Sequence, residues 1–578
     1  MLANHKSLDM SWPDKTGSQN LCRSRSAEWM KNVEKFSFKE ITALGDIGYR
    51  SLKCFSRLES KIYQPCDVEK IEKETDWPGD WIGRTLLGVS LLSVATGRES
   101  AFVEQLVDTV ENLRNTQGYL GHIEQPQVFD EQQFSGHNWL LRGLLSYYHW
   151  KKDEHALSMA RDIVQNLYLP AAGFYRKYPM KREDHVYVGG KSGSVTGKVV
   201  NHWRTSSDTG CAFMCLDGLV DYYALTKDER VKMLLEEMIE VFCKIDFIGL
   251  SMQTHASLSA TRGIIKLYHI TGNEQYLEFA KRFFDLYLDY GATANYANFN
   301  WFCRAEWTEP CAIIDSYILS SDLFCETKDA FYLKAANRIH YNAMDFAQRL
   351  NGGFGCDVCV GPQKTILHAD TDGNPLCEAY WCCSMRGGEG LSSLTRNLYL
   401  MENGTIYIAQ YGNSRLETTD LVVKQRTTFP KEGNVVLEID NTSDNIRKLA
   451  LYIPDYALMP SVTVKERTCT VSKTGEFYFL PLSYGKQKIT LSFGIALHTE
   501  PCIGKMTPAG RYGYWHGDLM LGIETQQPVK GDELEIEMLS SGNYRVKGQH
   551  DMLTDLRGNI DEEIIHGSMV KSVQIVFE

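Results

Sequence analysis

The chain has 578 residues, 43% of them hydrophobic and 23% charged, a composition that excludes bulk disorder and leaves room for roughly two to four domains. Its formal net charge of −12, from Asp+Glu 73 against Lys+Arg 61, offers no basic footprint for nucleic acid. No run approaches the roughly 18 apolar residues of a membrane span, and the segment from Met1 to Leu21 lacks the apolar centre of a signal peptide. The expectation is therefore a cytoplasmic protein, or a periplasmic one whose signal has been removed.

The first two-thirds of the chain carries a helical repeat. GLLSYYHWKKDEHALSMARDIVQNL from Gly143, GLVDYYALTKDERVKMLLEEMIEVF from Gly218 and GIIKLYHITGNEQYLEFAKRFFDLY from Gly263 follow one plan. In each, a Gly opens an apolar helix that ends near an aromatic residue, a turn rich in Lys, Asp, Asn or Gly follows, and a second amphipathic helix completes the unit. Weaker copies begin at Thr85 and Ala312. Apolar residues recurring every three or four positions define the helices, and each hairpin can bury its stripe only against its neighbours. The irregular spacing favours a closed α/α toroid over an open array. The segment before residue 40 is less patterned, and is expected to lie across the toroid or to begin its first helix.

Beyond Arg396 the period changes to two. NGTIYIAQYG, DLVVKQRTTF, NVVLEID, KLALYIP, EFYFLPL and QKITLSFGIAL are short β-branched and aromatic runs between Gly, Asn, Asp and Lys turns, as in β-sandwiches. This divides the chain into a helical domain (residues 1–400), a β-sandwich (401–518) and further strands (519–578) belonging to a possible second sandwich.

Sixteen cysteines scattered through so long a chain are expected to be reduced. Cys22, Cys54, Cys66, Cys243, Cys325, Cys469 and Cys502 stand alone among apolar neighbours and read as small hydrophobes. The others that draw attention lie between Cys303 and Cys383. There W-T-E-P-C (Trp307 to Cys311) and W-C-C-S-M-R-G-G-E-G (Trp381 to Gly390) together offer Glu309, Cys311, Cys382 and Cys383, one carboxylate and three thiols, a set that zinc accepts. Adjacent cysteines can chelate one ion only if the backbone between them is distorted. Two alternatives stay open: that the pair simply packs in a core, and that the C-x-x-C of Cys356 and Cys359 binds metal instead.

Segments in a fixed order give a resemblance that spans nearly the whole chain: G-Y-L-G at Gly118, S-G-H-N at Ser135, T-H-A at Thr254, E-P-C at Glu309, H-Y-N-A at His340, C-C at Cys382, L-Y-I-P at Leu451 and W-H-G-D-L-M-L-G-I-E at Trp515. The sequence resembles glycoside hydrolase family 127, the β-L-arabinofuranosidase-like enzymes, which combine an (α/α)6 barrel with β-sandwich domains. The resemblance implies Zn2+ held by Glu309, Cys311, Cys382 and Cys383, with Cys382 as the nucleophile of a retaining hydrolase that acts on a terminal furanoside of an oligosaccharide or polysaccharide. It also implies sugar contacts from His137 and His255, and more loosely from His202, while Trp81, Trp203 and Trp381 are candidate apolar platforms for a sugar face.

The chain departs from the family where members carry a glutamate acid/base in a Gly-Glu-x-Phe-like element. Here the sequence reads G-A-T-A-N-Y-A-N-F-N from Gly291, with no carboxylate. The candidate replacement is Glu306, which reaches the same cleft if the stretch up to Glu309 forms a helical turn. Two other functions remain compatible with the sequence: a catalytically silent, zinc-stabilised carbohydrate-binding protein, and a metal-free α/α-toroid polysaccharide lyase.

Overall fold

A computed structural model describes residues 34–187, 195–369, 377–465, 467–469, 471–531, 534–547, 552–557 and 572–578. Six helices form an inner ring: Asp80–Thr96, Glu131–Lys151, Cys215–Thr226, Thr254–Thr271, Pro310–Thr327 and Cys383–Asn397. Each packs on the next, and the sixth closes on the first. Around them stand Gly45–Leu58, Val103–Leu113, Glu154–Ile163, Glu229–Phe242, Glu274–Tyr290 and Ala330–Ile339, with Gly45–Leu58 covering the last inner helix. This is the (α/α)6 toroid. The inner helices are buried on nearly every side, as Thr254 to Ile265 illustrates, whereas the outer helix Glu229–Phe242 buries only a stripe of the type Val231, Leu234, Leu235, Met238, Phe242.

The sequence repeat has a local physical cause. Four of the six inner helices hand over to the next outer helix through one left-handed residue followed by a side-chain cap. Lys152 (φ 60°), Lys227 (φ 55°), Gly272 (φ 69°) and Lys328 (φ 60°) make the turn, and Asp153, Asp228, Asn273 and Asp329 then accept hydrogen bonds from the first N–H groups of the next helix. The glycine that opens each unit marks a crossing between inner helices. A Cβ on Gly143 would meet the Gly83 carbonyl oxygen at 2.6 Å, and one on Gly263 would meet the backbone of Leu216 at 2.7 Å.

Sheet pairing draws the domain limits differently from the strand count in the sequence. Strands Glu34–Lys35 and Ile41–Ala43 pair with Tyr399–Glu402 and Ser414–Glu417, so the chain begins in both sheets of the sandwich before it enters the toroid. The sandwich ends with Gly485–Gly494. Leu497–Pro501 and Tyr512–His516 already pair into the third sheet with Leu519–Glu524, which places the limit near residue 495 rather than 518. That third sheet also takes in the hairpin of Asp357–Val358 and Ile366–Ala369 from within the helical region. Among the described residues no helix is long and apolar enough to cross a membrane. Fifteen cysteines fall among them, all free thiols. Cys54, Cys243 and Cys325 are buried as expected, Cys469 and Cys502 are half-buried, Cys66 is exposed, and Cys22 lies outside the described residues.

The tight helix crossings are testable. A Cβ on Gly83 would lie 2.2 Å from the Leu140 nitrogen, so Gly83→Ala should destabilise by about 1–3 kcal/mol or more through forced separation of two helix backbones. Gly494→Ala, whose Cβ would meet Leu458 Cβ at an ordinary 3.4 Å, should stay within about 0.5 kcal/mol of the parent in the same urea titration.

Candidate active site

Because inner and outer helices alternate, all six inner helices run the same way and their N-termini meet at one mouth. Glu309 is the residue before helix Pro310–Thr327 and Cys311 its second residue; Cys382 precedes helix Cys383–Asn397 and Cys383 begins it. The four ligand atoms of Glu309, Cys311, Cys382 and Cys383 all lie within 4.8 Å of one another. The sulfur of Cys383 is 3.2 Å from that of Cys382 and 3.6 Å from that of Cys311. The backbone distortion that adjacent ligands require is present, since Cys382 has φ −149° and ψ −56°, neither helix nor strand.

The electrostatics of this set are unbalanced. Burial opposes ionisation of Cys311, but its hydrogen bonds with the Cys382 and Cys383 thiols and the Arg84 guanidinium beside it, Nη1 at 3.4 Å, hold its thiol well below the usual range. The Cys382 thiol is raised by its hydrogen bond with Cys311, and that of Cys383 by burial and then by its own bond with Cys311. Burial, then the neighbouring Cys311 and Asp208, push Glu309 well above an ordinary carboxyl. Burial and mutual repulsion thus oppose ionising all four donors together. A divalent cation resolves that conflict by favouring every deprotonated donor at once. Tetrahedral zinc with bonds of about 2.3 Å to sulfur needs sulfurs about 3.8 Å apart, close to the spacings found. The donor set therefore fits a metal ion, and helix N-termini favour the anionic ligands it requires.

Beneath the mouth, Trp139 is wholly buried with three guanidinium groups over its ring system, Arg84 at 4.1 Å, Arg386 at 4.5 Å and Arg142 at 5.0 Å. The His255 ring stacks on it at 5.5 Å, 11° from parallel. Asp315 accepts from His255 Nδ1 at 2.8 Å and from Arg262 at 2.5 Å, and also pairs with Arg386. Although burial opposes it, Arg386 and Arg262 hold Asp315 far below the usual carboxylate range, so His255 Nδ1 donates to it and Nε2 is left free of that bond. That Nε2 has no hydrogen-bond partner, and neither do Trp81 Nε1, Trp139 Nε1 and Thr209 Oγ1. Unpaired buried polar atoms near one cluster suit a ligand rich in hydroxyl groups.

The other expected site residues divide clearly. Trp81 is half-buried against Tyr63 and Tyr380, and Tyr380 and Trp381, 36% and 47% exposed, lead directly into Cys382. Trp203 is a core residue instead, its Nε1 donating to the Phe174 carbonyl. His137 is corrected in the same sense. Its Nδ1 bonds the Gln133 carbonyl at 2.8 Å and its Nε2 accepts from Leu120 N–H at 2.9 Å, leaving no nitrogen for a sugar. His202 occupies a hairpin turn at φ 81° and bonds the Gln127 carbonyl; none of its described contacts reaches the sulfur cluster. Glu306 does not stand on a helical turn, because the helix starts only at Pro310, and the carboxylate is paired with Arg304 at 2.8 Å. Of the C-x-x-C pair, Cys359 turns aside to donate to the Asn298 carbonyl, and neither cysteine belongs to the four-donor set. Sequence reading missed Arg84, Asp315 and Gln253, whose Nε2 donates to Glu309 at 3.4 Å. Their one sequence signal is position, since Arg84 and Gln253 lie at the starts of inner helices as the donors do.

Comparison with known proteins agrees with this geometry. Residues 29–296 match the catalytic-domain model of the GH127 beta-L-arabinofuranosidases, and residues 405–493 the GH127 middle domain. Among solved structures, a GH127 beta-arabinofuranosidase aligns at TM-score 0.67 and 13% identity over 95% of this chain and 98% of that one. A GH127 beta-L-arabinofuranosidase from Geobacillus Stearothermophilus T6 aligns at 0.66 and 12% over 95% and 100%. No curated protein matches in sequence. The chain belongs to the GH127 family and is a beta-L-arabinofuranosidase-like glycoside hydrolase. The catalytic-domain match ends inside the segment from Gly291 that lacks the family's glutamate, ahead of Glu309.

His137 gives a pH prediction. Burial lowers its pKa from 6.5 to about 4, so the unfolded chain binds the extra proton between those values. Its contribution is complete above pH 6.5 and is lost as the pH falls towards 4, up to about 3 kcal/mol. The difference in urea stability between the parent and His137→Asn should accordingly be largest near neutral pH and shrink across that window.

Proposed function

We propose that the protein is a retaining glycosidase that removes a terminal furanoside, a β-L-arabinofuranose or a related plant-glycan sugar, through Cys382. The observation that carries this reading is the donor set itself. Of its three sulfurs, Cys311 and Cys383 are buried and Cys382 alone is partly open, beside the exposed rings of Tyr380 and Trp381. Zinc bound by Glu309, Cys311, Cys382 and Cys383 would supply the positive charge that keeps the sulfurs as thiolates at neutral pH.

Cys382 Sγ attacks the anomeric carbon; the C–S bond forms as the C–O bond breaks, and the leaving oxygen departs with the electron pair and takes a proton from solvent. Water then attacks the same carbon and gives a proton back to solvent, the sulfur leaves as thiolate, and the configuration is retained after two inversions. His255, fixed by Asp315, presents its unpaired Nε2 to a sugar hydroxyl, and Trp81 offers an apolar ring to the sugar face. Membership of a glycoside hydrolase family sets aside the lyase alternative. The stretch from Gly291 without a carboxylate favours the second reading, a silent zinc-stabilised carbohydrate-binding protein.

A nitrophenyl β-L-arabinofuranoside, whose leaving group departs without a proton, discriminates between the two. Hydrolysis with retention, about one zinc per chain and a decrease of at least about 10³-fold in Cys382→Ala support the glycosidase. Zinc and sugar binding without turnover of any furanoside would establish the binding protein, and an undiminished rate in Cys382→Ala would remove the sulfur from the mechanism.

A further inference from the structure

The turn that presents Cys382 and Cys383 is held by a buried carboxylate that the chemistry above does not use. The Ala379 carbonyl accepts the N–H groups of Cys383 at 3.0 Å and Ser384 at 3.2 Å, with that of Cys382 further off at 3.4 Å, so the turn wraps around one oxygen. Helix Cys383–Asn397 has no side-chain cap at its own start. Glu378, the residue before Ala379, takes that part: its Oε1 accepts Ser384 Oγ, in the first turn of the helix, at 2.6 Å. A helix N-terminus favours such an anion. Ser384 Oγ in turn accepts the Phe354 N–H at 3.0 Å, and Ala379 N–H donates to the Phe354 carbonyl at 2.8 Å.

Glu378 is also fixed from outside the turn. Arg57, on the outer helix Gly45–Leu58, donates to its Oε1 at 2.8 Å, and Asn351 Nδ2 donates to its Oε2 at 2.6 Å. The carboxylate fills the space over Gly353, where a Cβ would collide with it and with Ser384 Oγ. Tyr63 holds the middle of the turn, its hydroxyl donating to the Tyr380 carbonyl at 2.8 Å.

We propose that Glu378 is the positioning residue of the Cys382–Cys383 pair, acting through Ser384 to keep the Cys382 sulfur half-open and that of Cys383 buried. The inference rests on the reading of Cys382 as the nucleophile. The two side chains are adjacent, so only the fixed backbone between them, with Cys382 at φ −149° and ψ −56°, gives them different surroundings. Glu378 receives three donors, from Ser384, Arg57 and Asn351. A neutral amide in its place would set its own N–H groups against one of them. Misplacing a reacting atom by about 1 Å can slow a reaction about 10²-fold.

On a nitrophenyl furanoside, Glu378→Gln and Ser384→Ala should each lower kcat about 10- to 100-fold and leave KM within about threefold, the pattern of a misaligned nucleophile. Glu378→Gln/Ser384→Ala should fall less than about threefold below the slower single variant, because both changes release one turn. A second readout needs no turnover: in the purified full-length protein, iodoacetamide labelling located by peptide mapping should favour Cys382 over Cys383. That ratio should drop at least about 10-fold in either single variant as the buried sulfur becomes accessible. Asp228→Ala, which removes a helix cap on the outer ring, should keep the parent's kcat and labelling ratio. A parent-like kcat and ratio in Glu378→Gln, the same changes in Asp228→Ala, or multiplying effects in the double variant would overturn the proposal. Should Glu378→Gln fail to fold, Ser384→Ala against Asp228→Ala decides in the same way. A parent that turns over no furanoside would overturn the glycosidase reading, and the labelling ratio would still decide the role of Glu378.

Discussion

A network of buried ion pairs joins five of the six inner helices, and the site is built on it. The second helix brings Arg142, the third Asp217, the fourth Arg262, the fifth Asp315 and the sixth Arg386 and Glu389, while the first pairs its own Asp80 and Arg84 and reaches the fifth through Cys311. Arg142 and Arg262 both reach Glu389, and Arg262 and Arg386 both reach Asp315, so bonds span non-adjacent helices. Breaking one such buried pair typically costs about 3–5 kcal/mol because the remaining charge is stranded, although a wholly apolar core would often be as stable. Charge is thus a poor way to stabilise a ring but an effective way to fix its register: a helix displaced by one turn would strand several ions at once.

That register is what the chemistry uses. Asp315 orients His255, Trp139 holds the histidine ring flat between helices, and Arg84 extends the network upward to the Cys311 sulfur. Hydrogen bonds with the neighbouring thiols and the Arg84 charge outweigh burial and lower the Cys311 thiol. The third sheet adds a tether from outside the ring, since the strand that begins at Asp357 lies against Thr308 and also belongs to the C-terminal sheet.

The features legible in the sequence were those with a local cause. The left-handed turn and Asp or Asn cap recur at Lys152, Lys227, Gly272 and Lys328, so the hairpins and their closure into a toroid could be read, and the period-two runs announced the sandwich. The limits of the domains could not be read, because the pairing of Ile41–Ala43 with Ser414–Glu417 joins residues more than 350 positions apart. The four donors that the fold gathers, Glu309, Cys311, Cys382 and Cys383, could be picked out from two short motifs. The roles of the histidines could not. His137 and His255 stand equally well in their motifs, and only the neighbours that the fold supplies, two backbone groups for one and Asp315 for the other, separate a loop anchor from a ring with one nitrogen unpaired. Glu306 failed for a similar reason: the helix that would have turned it into the cleft begins after Glu309, at Pro310, and Arg304 lies two residues away.

The stretch from Gly291, where the family's acid is missing, has a different task here. Asn298 accepts the Glu309 N–H at 2.9 Å and donates to Thr254 Oγ1 at 3.0 Å, while Asn295 donates to the Asn342 carbonyl, so the asparagines brace the residues that present Glu309 and His255. Neutral amides do this without adding charge. Glu309 is already pushed well above an ordinary carboxyl by burial and by its neighbours Cys311 and Asp208, and a further carboxylate in this wall would raise it again.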